Sequence, residues 1–329
     1  MKRFVLFVLS VVVSGFTFLS AQVRQEILLE KNWKFTREDN PQFISPDFDD
    51  AAWQSVTIPH DWAIYGPFSA QNDKQDVAIT QDGQKDAMEH AGRTGGLPFV
   101  GVGWYRSDFE IPSLGNGRKA VLLFDGAMSN AEVYVNGKKA GYWPYGYNSF
   151  HFDITDLVRE GKNTLAVRLE NYPESSRWYP GAGIYRNVHL VLTEDAHIPV
   201  WGTQVQTPVV TPEFAKVNIK TNIDRPEGSQ PGTYRLVTEI RDGKNTPVAT
   251  HTDTLGRFDR NRIEQELIVA EPACWTPEQP HLYTAVSRLY EGNALKDEYT
   301  TPFGIRTIEI VPGKGFLLNV EVMVLWCFW

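Results

Sequence analysis

The chain has 329 residues, of which 42% are hydrophobic and 22% are charged. This length suits two ordinary domains of about 100–200 residues each, and the composition is that of a globular protein rather than a disordered or multi-span membrane protein. The formal net charge is -8, and no basic run occurs beyond Lys2-Arg3. We therefore expect no nucleic-acid partner.

The amino terminus predicts a secretory signal peptide over residues 1–21. Lys2 and Arg3 precede an apolar run from Phe4 to Leu19, and the small pair Ser20-Ala21 follows. A single membrane anchor is the alternative, but the run is shorter than the roughly 20 residues that a span needs. The sequence thus predicts cleavage near Ala21, no membrane span after cleavage, and a periplasmic or secreted location.

Cysteine and histidine usage predicts neither a disulfide framework nor a metal site. Cys274 and Cys327 are the two cysteines, too few to staple an exported fold, although a bond between them stays open. The seven histidines are scattered without paired ligand spacing. They are His60, His90, His151, His189, His197, His251 and His281. We expect no metal and no cofactor.

Strand signals dominate the first part of the chain. Short β-branched or aromatic runs bounded by Gly, Asn, Asp and Pro span 121–124, 131–135, 164–169 and 188–193. Asn136-Gly137 lies between two such runs and predicts a hairpin with a type I′ turn. Repeated antiparallel strands with long return connections predict an all-β fold that begins with a jelly-roll β-sandwich over residues 22–196.

Tryptophans are concentrated in this first part: Trp33, Trp53, Trp62, Trp104, Trp143 and Trp178. A buried aromatic ring removes about 150–250 Å² from water, so we expect most of them to be core residues. Trp178 is the exception. Arg177 and Tyr179 flank it and the turn-forming pair Pro180-Gly181 follows, which favours exposure.

A polar insertion over residues 69–96 interrupts the strand pattern. It is rich in Gln, Asp and Lys and contains Gly83, Gly92 and Gly95-Gly96. We predict a short helix around residues 84–89 within it. Insertions of this length are functional lids or simply mobile loops, and the sequence leaves both interpretations open.

A second β-sandwich is predicted over residues 197–308. Seven strand candidates follow one another within about 110 residues, which suits an immunoglobulin-like sandwich. Asp242-Gly243 marks a turn between two of them. The candidates span 203–207, 215–220, 234–240, 248–253, 262–269, 283–289 and 297–303.

Three stretches carry a family resemblance. The region Phe150–Arg186 ends in Pro180-Gly-Ala-Gly-Ile-Tyr-Arg186, and the motifs Pro59-His-Asp-Trp62 and Gly103-Trp-Tyr-Arg106 precede it. Together they resemble the sugar-binding front of glycoside hydrolase family 2, the β-galactosidases, β-glucuronidases and β-mannosidases. The resemblance covers roughly residues 24–319. It implies two β-domains ahead of a catalytic TIM barrel, and carbohydrate as the partner.

The same resemblance assigns no catalytic residue to this chain. Family 2 enzymes use two glutamates at strand ends of a barrel of about 250 residues, with the two carboxyl groups about 5–5.5 Å apart. Phe303–Glu309 and Gly315–Asn319 match the lead-in to that barrel, but Val320–Trp329 departs from it. We interpret residues 309–329 as an aborted start of the barrel and expect a catalytically silent chain. A short terminal strand packed on the second sandwich is the alternative.

Acidic residues elsewhere have a structural interpretation. Asp153 closes a strand, and Thr155 and Asp156 suit the start of a helical turn. The pair Asp49-Asp50 and the residue Asp61 occupy turn or strand-end positions. We predict that none of them forms a catalytic carboxylate pair.

Sugar binding is expected at one edge of the first sandwich. The resemblance implies that the loop starting at Val100 and the segment Arg177-Trp178-Tyr179 lie near outer substrate subsites. Arg177 can donate hydrogen bonds to hydroxyls, while Trp178 or Tyr179 offers a stacking face. Several β-galactosidases have an acidic residue near this position, so Arg177 puts a galactose preference in doubt. The sequence predicts a fragment of a secreted β-glycosidase, with a weak stand-alone carbohydrate-binding module as the alternative.

Overall fold

A computed structural model describes residues 23–91, 98–112, 117–173, 179–257 and 261–323. Within these ranges the chain forms β-strands joined by loops and short 3-10 turns, without an α-helix. The prediction of an all-β fold is confirmed. The jelly-roll connectivity of the first part stays a prediction.

Two sheets form the first sandwich. One has the strand order β1-β12-β7-β10 and the other the order β3-β2-β6-β11-β8-β9, and a separate hairpin pairs β4 with β5. The strands are β1 (Gln25–Leu28), β2 (Trp33–Thr36), β3 (Gln54–Val56), β4 (Lys74–Val77), β5 (Met88–Ala91), β6 (Gly101–Ile111), β7 (Lys119–Phe124), β8 (Ala131–Val135), β9 (Lys138–Trp143), β10 (Phe150–Asp153), β11 (Gly161–Asn171) and β12 (Val188–Thr193).

Alternating side chains fill the space between these two sheets. Ala120, Leu122 and Phe124 of β7 are fully buried, while the residues between them are only partly covered. Large rings complete the core: Trp33 and Trp62 have no exposed surface. At about 25 cal/mol per Å², a buried ring of this size contributes on the order of 4–6 kcal/mol before conformational entropy is subtracted. The core role predicted for most of the tryptophans is confirmed for these two.

The hairpin predicted at Asn136-Gly137 joins β8 to β9. The φ angles of Asn136 and Gly137 are 51° and 80°, as a type I′ turn requires. The Asn136 side chain donates to the carbonyl of Leu157 at 2.9 Å and to Oδ1 of Asn163 at 2.8 Å. The turn is therefore also tied to β11, the neighbour of β8 in the sheet.

The helix predicted around residues 84–89 is wrong. Residues 88–91 are strand β5, which pairs antiparallel with β4, and the connection contains a 3-10 turn at Thr80–Asp82. The Gln84 side chain explains the difference, because its Oε1 accepts the backbone N–H of Ile79 at 2.9 Å and lies 3.0 Å from Nε2 of His90. These contacts close a loop at the position where a helix would start.

The second sandwich has the seven predicted strands. Its sheets have the orders β13-β14-β17 and β16-β15-β18-β19. Buried and partly exposed residues alternate throughout β15, which is typical of a sheet with one face on the core. The strands are β13 (Thr203–Val210), β14 (Phe214–Asn222), β15 (Tyr234–Arg241), β16 (Pro247–Thr254), β17 (Arg262–Ala270), β18 (Tyr283–Glu291) and β19 (Ala294–Phe303).

A buried ion pair connects the two sandwiches. The guanidinium of Arg24 donates to both carboxylate oxygens of Asp297, at 2.9 and 2.7 Å, and also to the carbonyl of Ile198. The backbone N–H of Ile198 donates to the same carboxylate at 2.8 Å, and Asp297 is fully buried. The start of the first sandwich, the connecting segment and β19 are therefore held together at one point.

The residues after the second sandwich form a small antiparallel sheet of β20 (Ile308–Val311), β21 (Gly315–Leu318) and β22 (Glu321–Val322). Asn319 donates to the carbonyl of Trp275 at 3.0 Å and accepts the N–H of Thr307 at 3.1 Å, which ties the sheet to the second sandwich. Residues 324–329, the rest of the segment interpreted as an aborted barrel start, lie outside the described residues.

Candidate functional site

Tyr179 lies at the predicted binding edge, and a carboxylate fixes its ring. Its side chain is 41% exposed, and its hydroxyl donates to Oδ2 of Asp61 at 2.6 Å. Partial burial, together with this contact, raises the pKa of Tyr179. Tyr179 is therefore a neutral, oriented ring. Arg177 and Trp178 lie outside the described residues.

Asp61 organises the loop on which this edge depends. Its Oδ1 accepts the backbone N–H groups of Ala63 and Ala182, both at 2.9 Å. The carbonyl of Ala182 in turn accepts the N–H of Trp62 at 2.9 Å. Both carboxylate oxygens of Asp61 thus have donors, and the structural role predicted for this residue is confirmed.

A glycine lets the Tyr179 segment approach Asp61. Gly181 has a φ of 71°, and a Cβ atom there would lie 3.0 Å from Oδ2 of Asp61. Only glycine adopts this backbone conformation without strain, and only glycine leaves room for the carboxylate. The Pro180-Gly181 pair that favoured exposure in the sequence therefore has a second role in close packing.

Val100 directly follows a residue that Trp62 holds in place. The indole N–H of Trp62 donates to the carbonyl of Phe99 at 3.1 Å, which holds the segment before β6. The Val100 side chain is 8% exposed. Contact between a ligand and Val100 would therefore go through the backbone, and its role in binding stays a prediction.

A groove of about 990 Å³ opens beside Asp61. Tyr65 lines it and is 69% exposed; its ring is stacked on the imidazole of His60, with centroids 6.0 Å apart and an angle of 17° between the rings. The Nδ1 atom of His60 lies 2.7 Å from the Tyr105 hydroxyl. Burial lowers the pKa of His60, so the imidazole under Tyr65 is neutral near pH 7. The groove thus contains a supported, exposed aromatic face.

Polar side chains on the walls of this groove are free to meet a ligand. Four exposed ones have no side-chain hydrogen bond or ion pair within the described part of the chain: Lys31, Asn32, Gln54 and Thr57. They supply ammonium, amide and hydroxyl groups. Groups of these types recognise hydroxyls by donating and accepting hydrogen bonds.

The carboxylates of the groove are already engaged. Asp50 accepts from the Arg106 guanidinium at 2.8 Å. Asp108 pairs with Lys162 at 2.8 Å and accepts the hydroxyl of Thr164 at 3.0 Å. With Asp61 also saturated, these three groups suit structural support rather than acid–base chemistry.

The structural role predicted for Asp153 agrees with the geometry. Asp153 accepts the N–H of Thr155 at 2.8 Å, and Thr155–Leu157 is a 3-10 turn. Across the described ranges, no three His, Cys, Asp or Glu side chains are grouped so that they could hold a metal ion. In the same ranges, no helix has the length and apolarity to cross a membrane.

Tyr65 was missed in the sequence although a signal was present. The residue is followed directly by Gly66-Pro67. A similar pattern predicted the exposure of Trp178, which Tyr179 separates from the turn-forming pair Pro180-Gly181. The support from His60 is a contact across the loop, which residue order alone does not predict.

Two family models match the chain. The model described as glycosyl hydrolases family 2, sugar binding domain, matches residues 27–194, and the model described as glycosyl hydrolases family 2 matches residues 196–306. The chain belongs to glycosyl hydrolase family 2. The family resemblance of the sequence is thereby confirmed.

Curated and solved relatives agree with this assignment. The chain is 36% identical over 293 residues to beta-galactosidase BoGH2A of Bacteroides ovatus, covering 88% of this chain and 32% of that protein. It is 29% identical over 310 residues to a beta-glucuronidase of Bacteroides fragilis, covering 90% and 40%. A solved family 2 member from Bacteroides cellulosilyticus matches with a TM-score of 0.78 and 34% identity, covering 91% and 37%. The chain thus spans about a third of the length of these relatives.

Proposed function

We propose that this chain is the sugar-binding front of a secreted family 2 β-glycosidase and binds carbohydrate at the Tyr65 groove without hydrolysing it. The observation that carries the proposal is the exposed Tyr65 ring on His60, beside polar side chains that lack a partner among the described residues. A sugar offers a C–H face to an aromatic ring and hydroxyls to surrounding polar groups. Tyr179, fixed by Asp61, extends the same edge.

For a whole protein of the length of these relatives, we propose hydrolysis of O-glycosyl bonds by a β-galactosidase-like enzyme of carbohydrate metabolism. The similarity to a beta-galactosidase of Bacteroides ovatus supports this. Arg177 argues against a strict galactose preference, as does the similarity to a beta-glucuronidase. Comparing turnover of matched chromogenic β-galactosides and β-glucuronides by the whole protein tests the preference. Faster turnover of the glucuronide would overturn the galactosidase proposal.

Catalytic silence of this chain is a separate proposal. Retaining hydrolysis needs one carboxyl group as acid and another as nucleophile on either side of the glycosidic bond. In the groove, Asp50, Asp61 and Asp108 already accept hydrogen bonds or ion pairs from the protein. We expect no turnover of chromogenic β-galactosides by the purified chain. Turnover that survives removal of contaminating enzymes would refute silence while leaving sugar binding intact.

A stand-alone carbohydrate-binding module of weak affinity is the second candidate function. The groove favours it, because it is formed entirely by residues of the first sandwich. Calorimetric titration with neutral oligosaccharides tests it in the isolated chain. Binding should be lost in Tyr65→Ala, and also in Arg177→Ala and Trp178→Ala. Tyr172→Ala is the matched control, since Tyr172 is 51% exposed but does not line the groove.

Export to the periplasm or the medium is also proposed. The basic pair Lys2-Arg3, the apolar run Phe4–Leu19 and the small pair Ser20-Ala21 have the order of a cleavable signal. Amino-terminal sequencing of the protein from its native compartment should begin near Gln22. A protein that retains Met1 and stays in the cytoplasm would contradict this.

A further inference from the structure

Trp201 has a backbone conformation that disfavours a large side chain. Its φ is 59°, in the turn in which the N–H of Gly202 donates to the carbonyl of Pro199 at 2.8 Å. A bulky residue at positive φ is strained, and the surrounding structure must hold it there. Here the N–H of Trp201 donates to the Tyr299 hydroxyl at 3.1 Å. Because glycine would fit this position without strain, the presence of tryptophan indicates that its ring has a use.

The ring of Trp201 is exposed and oriented. It is 53% exposed, and its edge-on contact with the imidazole of His151 has a centroid distance of 5.0 Å and an angle of 68° between the rings. His151 belongs to β10 of the first sandwich, whereas Trp201 precedes β13 of the second. The contact therefore fixes an indole at the junction of the two sandwiches while leaving much of its surface to solvent.

A cleft of about 700 Å³ adjoins the turn that carries Trp201, and its lining includes His151, which contacts the Trp201 ring. Its floor is the outer face of the first sandwich, where Val121 of β7 is the direct cross-strand partner of Asp153 of β10. His151, Pro199 and Val200 also line it, so the cleft reaches the turn that carries Trp201. A sheet face that adjoins an oriented indole is a suitable surface for an extended ligand.

The charges around the cleft select the type of ligand. Four carboxylates and two cationic groups line it: Asp153, Asp195, Asp224, Glu227, Lys119 and Arg225. The guanidinium of Arg225 is engaged by Asn261 at 2.9 Å and by Ser229 at 2.6 Å. Two of the carboxylates are also engaged: Asp195 lies 3.8 Å from the ammonium of Lys296, and Asp153 accepts the N–H of Thr155. Burial lowers the pKa of His197, another lining residue, so His197 does not add positive charge near neutral pH. This excess of carboxylates opposes an anionic ligand.

We propose that this cleft is a second glycan-binding site, which takes a neutral oligosaccharide. A sugar face stacks on Trp201, and carboxylates such as Asp224, which is exposed, accept its hydroxyl groups. The cleft and the Tyr65 groove have no lining residue in common. The proposal therefore goes beyond the function assigned to the groove and does not depend on it.

Matched sugars test the site in the intact chain. The indole N–H resonance of Trp201, assigned with Trp201→Phe, is followed by NMR during titration with methyl β-D-glucopyranoside, lactose and cellobiose. Methyl β-D-glucopyranosiduronic acid differs from the first probe only by oxidation at C6 and serves as the anionic control. We expect neutral sugars to shift the Trp201 resonance and the uronic acid to leave it unchanged. No shift with neutral sugars up to about 30 mM, well above a millimolar dissociation constant, would overturn the proposal.

Two variants separate the cleft from the groove. Trp201→Gly removes the ring and places a residue that tolerates positive φ, so the fold should survive. Because this variant lacks the indole, cleft binding is followed through the backbone amide resonances of His151 and Val200. Trp201→Gly should weaken sugar binding at the cleft by about tenfold and leave the groove unaffected, while Tyr65→Ala should do the reverse. Unchanged cleft binding in Trp201→Gly would show that the ring is only a spacer between the sandwiches.

If Trp201→Gly does not fold, the variant Asp224→Asn tests the cleft instead. This variant keeps the ring and removes one negative charge at the rim. Weaker binding of neutral sugars supports the proposal, and unchanged binding refutes it. Loss of binding in Tyr65→Ala alone would leave the groove as the site and exclude the cleft.

Discussion

The core of the first sandwich is richer in large rings than the core of the second. In the first, Trp33, Trp62 and Tyr105 have no exposed surface and meet one another through edge and tilted ring contacts. In the second, β17 alternates regularly between exposed residues and buried ones such as Ile263 and Leu267. Close packing of large rings needs a glycine such as Gly103, where a Cβ would lie 2.5 Å from the Trp62 ring, whereas alternating side chains need only a regular sheet. The groove lies in the first sandwich, where long loops cross the ends of the strands.

The difference explains where the proposed binding residues are located. Tyr65, Asp61 and Tyr179 belong to connections, and each is positioned by a contact with a neighbouring loop or ring. Loops on a rigid scaffold are common places for binding residues. The second sandwich meets the first at a junction where the carboxylate of Asp297 accepts a hydrogen bond from the guanidinium of Arg24.

The largest expected effect comes from disconnecting the two sandwiches. Arg24→Ala leaves the fully buried carboxylate of Asp297 without its charged partner, which should lower the free energy of unfolding by about 3–5 kcal/mol. Urea denaturation followed by circular dichroism should also change from one transition towards two. Lys162→Ala, which breaks the exposed pair with Asp108, is the control and should leave the free energy of unfolding nearly unchanged. Equal losses in the two variants would contradict a special role for the buried pair.

Adding one methyl group to the aromatic core should lower the stability by a smaller amount. A Cβ atom at Gly103 would lie 2.5 Å from the Trp62 ring and 2.9 Å from Phe35, so Gly103→Ala should destabilise the first sandwich by about 1–3 kcal/mol. In the second sandwich, a Cβ at Gly232 meets no atom within 4 Å, and Gly232→Ala should be neutral or slightly stabilising. Thermal unfolding of both variants provides the measurement. A stable Gly103→Ala variant would show that the ring-filled core adapts more readily than its packing implies.

Acid should weaken the first sandwich through His60. Burial lowers the pKa of His60, and it also lowers the pKa of His151 in the same sandwich and of His197 at the start of the second. Because the folded pKa of His60 lies below the unfolded value of about 6.5, the unfolded chain binds more protons and stability falls as the pH drops through that value. Urea midpoints at about pH 7.5 and pH 5 should differ less in His60→Asn than in the parent chain. The same pH dependence in both would exclude His60 as its source.

The strands of this fold can be predicted from the sequence, but the loops can be predicted only in part. All seven strands of the second sandwich were predicted, because alternation and turn residues are local properties. The helix around residues 84–89 was wrong, because the contacts of Gln84 with Ile79 and His90 compete with helix formation and cannot be read from composition. Tyr179 was predicted as a binding residue from its motif. Tyr65 and Trp201 were not predicted as binding residues. The rings that support them, His60 and His151, come into contact with them only in the folded chain, which residue order does not reveal.

The smallest expected effect tests whether contacts between loops hold the binding edge. Tyr179→Phe keeps the ring but removes the hydrogen bond to Asp61, whose carboxylate still accepts two backbone N–H groups. Since the ring is 41% exposed, the loss of unfolding free energy should be only about 1 kcal/mol.

The more informative measurement for Tyr179→Phe is affinity, because an untethered ring must be ordered when a sugar binds, which lowers affinity without changing the contacts available. Tyr172→Phe is the matched control, since this exposed ring has no hydrogen bond from its hydroxyl within the described residues. If the two variants bind sugar equally well, Asp61 acts on the fold alone and the binding edge needs no tether. If only Tyr179→Phe binds sugar more weakly, the contacts between the irregular loops of the first sandwich serve sugar binding as well as packing.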